Sequence, residues 1–140
     1  MSLKDKIIRV ATLPAIVGGC AVAATTLLMG TPFSDTSSLP IIGVQLPSPI
    51  VEGITAGVAS GTTEFVADFI LPHIQGDEKL VRMERMVLKP ALTGGALAGL
   101  AYFNSNLPSL DSLGKNFLIG AGSEVAGTYV YRVGKEWLSQ

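Results

Sequence analysis

Three carboxylates lie within otherwise apolar stretches of this 140-residue chain: Glu64, Asp68 and Glu124. An acid in an apolar helix is expensive to desolvate, so it is either part of a proton or cation pathway or neutralised by a bonded partner. On the first reading Glu64, Asp68 and Glu124 line a polar cavity. On the second they bond across helices to Ser60, Thr62, Thr63, Ser123, Thr128 or a tyrosine, or accept a basic side chain from a neighbouring subunit. With no lysine, arginine or histidine expected at the same depth they make a poor relay, so the bonded reading is the expected one.

The other reactive residue types form no catalytic constellation. His73 is the single histidine and Cys20 the single cysteine, too few for a zinc site of the usual kind or for an intramolecular disulfide. Gly120-Ala121-Gly122-Ser123-Glu124 lacks the last glycine of a nucleophile elbow and has no histidine base beside it. Gly18-Gly19 and Gly94-Gly95 lack the strand and the lysine of a phosphate-binding loop. No enzyme activity, metal or cofactor is therefore expected.

The elements that must position these acids read as helices. Apolar residues make up 48% of the chain and charged residues 15%, with a mean hydropathy of +0.47, on the membrane side of ordinary globular composition. A net charge of −1 gives no basic field for nucleic acid. Lys4, Lys6 and Arg9 precede an uncharged run from Val10 to Ser34, longer than a signal-peptide core, so a retained first helix to about Gly30 is expected, kinked at Pro14 and capped by Ser2. A Pro- and Ser-rich loop spans 31–49, with an apolar stretch at Ile41 to Leu46. Ser48 as N-cap, Pro49 at the first helical position and Glu52 in the first turn, where the dipole favours an acid, open a second helix to about Leu71. Asp77 caps a charged segment at 78–89, in which Glu78 and Arg82 form an i, i+4 pair. A third helix ends near Phe103, and a fourth runs from Asp111 or Ser112 to about Leu138.

Small residues recur every third or fourth position in these helices: Ala15, Gly19, Ala23 in the first, Gly53, Gly57, Gly61 in the second, Ala91, Gly95, Gly99 in the third, and Gly120, Ser123, Gly127 in the fourth. Such rows let another backbone approach closely where lipid gives no hydrophobic drive for association. The first and third rows belong to a longer match: Pro14 to Ala23 reappears as Pro90 to Gly99, and Arg9 as Arg85, at an offset of 76. At an offset of 60, Thr63 to Ile70 matches Ser123 to Val130. The expected architecture is all-α, one helical membrane domain over 1–140. It comprises four membrane-associated helices built as two duplicated hairpins, repeat one at 2–75 and repeat two at 77–138, with GxxxG-type packing and an approximate two-fold axis along the membrane normal.

Nine of the ten basic residues fall at the start (Lys4, Lys6, Arg9), in the middle (Lys79, Arg82, Arg85, Lys89) and at the end (Arg132, Lys135); only Lys115 lies elsewhere. Four crossings put those segments on one side, so both termini and the 73–89 loop are expected to be cytoplasmic. Tyr102, Phe103, Tyr129, Tyr131 and Trp137 gather toward the helix ends, where interfacial anchors sit.

Phe117 to Gly127, preceded by Leu88 to Gly95, resembles the small multi-span minor capsid proteins of large icosahedral double-stranded DNA viruses with an internal membrane; the resemblance covers roughly 85–135. It implies a scaffold in the virion membrane, with helices beneath the shell and polar segments touching shell proteins. The chain is also similar in length and helix count to the four-helix, GxxxG-rich mitochondrial inner-membrane translocase subunits, without a clear match to the basic signature between their second and third spans. The function expected first is a non-enzymatic integral membrane structural protein linking membrane and shell. Its partners would be lipid and other membrane or capsid subunits, in homo- or hetero-oligomers. The alternatives are a subunit of a translocase-type complex, a small channel or transporter using Glu64 and Glu124, and a soluble helical adaptor.

Overall fold

A computed structural model describes residues 3–39, 42–66, 87–104 and 110–138. It is mostly helical: α1 (Leu3–Leu27), α2 (Ser48–Phe65), α3 (Lys89–Asn104) and α4 (Leu110–Leu138), with a short hairpin of β1 (Thr36–Ser38) and β2 (Gln45–Pro47) between α1 and α2. The helices close a ring in which α1 packs on α2, α2 on α3, α3 on α4 and α4 on α1. The pairing within each of α1/α2 and α3/α4 is antiparallel, because residues later in the first helix meet residues earlier in the second.

Pro14 lies inside α1 without ending it, and the helix runs from Leu3 to Leu27. A proline forfeits one backbone hydrogen bond and leaves a carbonyl free. Gly30, at a φ of 65°, closes the helix in the left-handed region, and the Thr31 amide reaches back to the Thr25 carbonyl at 3.3 Å.

The segment expected to be a loop contains a two-stranded antiparallel ladder, Thr36 opposite Pro47, Ser37 opposite Leu46 and Ser38 opposite Gln45. Gly43, at a φ of 76°, makes its turn, a conformation that residues bearing a Cβ seldom adopt. This hairpin also corrects the cap of α2. The helix opens after Pro47 with no side-chain cap, while the Ser48 hydroxyl pairs with that of Ser37 at 2.7 Å and the Ser48 amide bonds the Asp35 carbonyl at 2.8 Å. Glu52 does not lie in the first turn of α2. It accepts the Thr25 hydroxyl and so joins the end of α1 to the start of α2.

Among the described residues, α1 is the one helix long and apolar enough to cross a membrane. The 16 residues of α3 reach about 24 Å at a rise of about 1.5 Å each. The expected ends and caps at Ser2, Leu71 and Asp77, and the pair Glu78 and Arg82, lie outside the described residues.

The distribution of polarity is the reverse of that in a water-soluble bundle. Among the described residues, Leu13, Val17, Ala21, Val51, Ala56, Leu97, Leu100 and Ile119 are the buried hydrophobics, outnumbered by the buried polar set of Arg9, Thr25, Ser60, Glu64, Lys89, Thr93, Asn116, Ser123 and Glu124. Large apolar side chains turn outward on every helix, among them Ile7, Val58, Leu92, Leu118 and Trp137.

Candidate functional site

The four helices meet around a buried cluster of charge. From α1, Arg9 turns inward because it shares a stripe with Leu13, Val17, Ala21 and Thr25, each four residues from the last and all buried. From α3, Lys89 heads the same kind of stripe with Thr93 and Leu97. Ser60 and Glu64 of α2 and Ser123 and Glu124 of α4 complete the cluster.

Glu64 is fully buried and is its centre. Arg9 meets it two-pronged, with Nε 3.0 Å from Oε2 as an ion pair and Nη2 donating to Oε1 at 3.3 Å. The ammonium of Lys89 bonds Oε1 from the other side. Opposite charges at this distance, with one hydrogen bond from the guanidinium, are what allow the carboxylate to stay buried in a water-poor interior. Glu64 thus faces two cations, and Glu124 supplies the second negative charge. Lys89 and Glu124 attract each other through space, and the Thr93 hydroxyl donates to Oε2 of Glu124 at 3.4 Å. Two cations and two carboxylates sum to zero, which keeps the burial tolerable.

The cluster is not fully satisfied. Oε2 of Glu64, Oε1 of Glu124 and the hydroxyls of Ser60 and Ser123 are buried without hydrogen-bond partners; Ser60 is near Glu124 but not aligned to bond it. Such atoms in a low-dielectric interior call for a water, a proton or a shifted geometry.

These positions revise the sequence reading. Lysine and arginine were expected only in flanking segments, yet Arg9 and Lys89 sit at the depth of Glu64 and come from the same chain. The four-residue stripes of Arg9 with Leu13 and Val17, and of Lys89 with Thr93 and Leu97, are the sequence signal for this. Of the acids' expected partners, Ser60 and Ser123 do come to the cluster, whereas Thr63 and Thr128 return their hydroxyls to the carbonyls of Ala59 and Glu124 in their own helices. Thr62 is exposed. Asp68 and His73 lie outside the described residues. Cys20 is a free, half-buried thiol. Among the described residues no group of three metal-ligating side chains comes together.

The small-residue rows divide into two kinds. Gly53, Gly57 and Gly61 do line the α1/α2 contact: a Cβ on Gly53 would stand 2.9 Å from the Gly18 carbonyl oxygen, one on Gly57 3.1 Å from that of Pro14, and one on Gly61 3.1 Å from the Pro14 ring. In α4, Gly120 meets the Thr93 carbonyl and Gly94, Gly127 meets Val17, and Ser123 is buried. The other two rows face out. Ala15, Gly19 and Ala23 on α1 and Ala91, Gly95 and Gly99 on α3 are exposed, and an added Cβ on Gly19, Gly95 or Gly99 would meet nothing within 4 Å. The residues that do face the partner helix are one position earlier, Pro14, Gly18 and Val22 on α1 and Gly94 on α3. One residue is a 100° rotation, enough to turn the second glycine of each pair from the partner to the surroundings.

No protein-family model, curated protein or solved structure matches the chain.

Proposed function

We propose that this protein is a non-enzymatic integral membrane structural subunit. The observation that carries the reading is the inverted polarity: ionic and hydroxyl groups gather at the helix junction, while large apolar side chains cover the outside. In water the outer surface would be a liability, whereas in hydrocarbon it is the favourable arrangement. Four helices then cross or enter the bilayer, with Arg9 and Lys89 drawn inward from otherwise basic cytoplasmic ends.

The outward rows on α1 and α3 give this subunit two faces on which another helix can approach closely. We therefore assign it lateral partners, either copies of itself or other membrane subunits. The resemblance over 85–135 favours the internal membrane of an icosahedral virion, where such a subunit would tie lipid to the overlying shell. Gly95→Leu with Gly99→Leu leaves the interior untouched, since both positions open outward. The double variant should insert and fold normally but lose assembly, as read by cross-linking in the native membrane. Unchanged assembly would count against lateral packing through this face.

A second reading rests on the unpartnered Oε1 of Glu124 beside Ser60 and Ser123, a polar spot suited to a proton or a small cation. It predicts flux through liposomes carrying the folded protein, abolished by Glu64→Gln with Glu124→Gln. Tight liposomes at high protein density would exclude it.

A further inference from the structure

Outside the ionic cluster, a groove of about 720 Å³ opens between the beginning of α1 and the end of α4. Its α1 wall is Lys4, Ile8, Thr12 and Ile16, one residue per turn, so it runs for about 18 Å along the helix. Its α4 wall starts at Val130 and Tyr131 and ends at Lys135 and Leu138. The hollow between the walls is opened by Gly134, where an added Cβ would meet nothing within 4 Å.

The groove has a chemical direction. Lys4 and Lys135 lie toward the end where α1 begins and α4 finishes, while Ile16 and Val130 lie deeper along the helices. Neither lysine has an ion-pair partner among the described residues. Asp5 also lines the groove, and it and the adjacent Glu136 are engaged in interactions of their own. The exposed Trp137 stands at the same end, as side chains at a membrane–water boundary do, while the half-buried Tyr131 lies beside Val130 deeper in the groove. Two unpaired ammonium groups above an apolar slot, at the level of an exposed tryptophan, match a phosphate headgroup carrying an acyl chain below it.

We propose that the α1/α4 groove is a binding site for one anionic phospholipid, whose phosphate sits between Lys4 and Lys135 and whose acyl chain runs along Ile8, Ile16 and Val130. This rests on the membrane reading above and adds a lipid preference to it. The lipid would also cement α1 to α4, the pair that closes the helix ring.

The test is native mass spectrometry of the full chain released from detergent, titrated with phosphatidylglycerol or with phosphatidylcholine of the same acyl chains. Phosphatidylglycerol should be retained about tenfold more strongly. Lys4→Glu with Lys135→Glu should remove the preference, and Gly134→Leu should remove the bound lipid by filling the slot without changing any charge. Lys115→Glu, on the opposite end of α4, should leave both unchanged and shows that net charge is not the cause. Equal retention of the two lipids by wild-type protein that partitions into membranes overturns the lipid site while leaving the membrane reading intact. So does a preference that survives both the charge-reversed and the Gly134→Leu variants. Protein that stays in solution without detergent and retains neither lipid overturns both.

Discussion

The hairpin of α1 and α2 and the hairpin of α3 and α4 close on the same position of their first helix and differ in what they bury beside it. Gly18 meets the Gly53 carbonyl and Gly57, and Gly94, 76 residues later, meets the Phe117 carbonyl and Gly120. The carbonyls they meet, of Gly53 and Phe117, are 64 residues apart, about one helical turn beyond the offset of 60 that aligns the second helices. The acids correspond too, Glu64 with Glu124, and both are fully buried. The residues around them do not. Where the first hairpin has Leu13 and Val17, the second has Lys89 and Thr93, and it is these two that reach the carboxylates. Lys89 crosses to Glu64 of the other hairpin, whereas Thr93 serves Glu124 of its own. Similar frames thus carry different contents: each hairpin holds one cation and one acid, Arg9 with Glu64 and Lys89 with Glu124, and Lys89 ties the two together by bonding Glu64.

The largest expected difference between the halves is at the two acids. Glu64→Gln leaves both Arg9 and Lys89 buried against a neutral amide and should destabilise the protein by about 3–5 kcal/mol. Glu124→Gln keeps an acceptor for Thr93 and should cost about 1–3 kcal/mol. Thermal unfolding of the two variants in the same detergent compares them, and an equal or reversed order would refute the asymmetry of the cluster.

A smaller effect sharpens the resemblance between the halves. Alanine at Gly18 would put a methyl 2.8 Å from the Gly53 oxygen, and at Gly94 2.6 Å from the Phe117 oxygen, both backbone atoms that cannot step aside. Each substitution should cost about 1–3 kcal/mol by forcing its helix pair apart. Alanine at the neighbouring Gly19 or Gly95 meets open space and should stabilise its helix by about 0.5–1 kcal/mol, because glycine loses more backbone freedom on folding. Opposite signs for adjacent glycines in both hairpins, measured by the same melts, would establish the common helix rotation. A neutral Gly18→Ala or Gly94→Ala would remove it.

Much of the architecture was legible along the chain. Helix positions follow from apolar composition and from punctuation by Pro47, Pro49 and Gly30, which act on a few neighbouring residues and need no tertiary context. The ends of α3 and α4 lie within about two residues of where the sequence places them, because the helix boundary is a local decision. The short ladder of β1 and β2 was not legible, because three-residue strands have too few positions for an alternation to show.

Sequence by itself determined that the chain is helical, that small residues recur at helical spacing, and that Glu64 and Glu124 need compensation wherever they are buried. Only the tertiary structure decided which glycine of each pair is inside and which cations neutralise the acids. Both depend on the rotation of one helix against another, and a turn of 100° exchanges Gly18 for Gly19 at the contact at little local cost. Arg9 and Lys89 likewise read as flanking charges until the ring closes, since their long side chains can lie in water or point inward, and the choice is made by a carboxylate that belongs to a different helix.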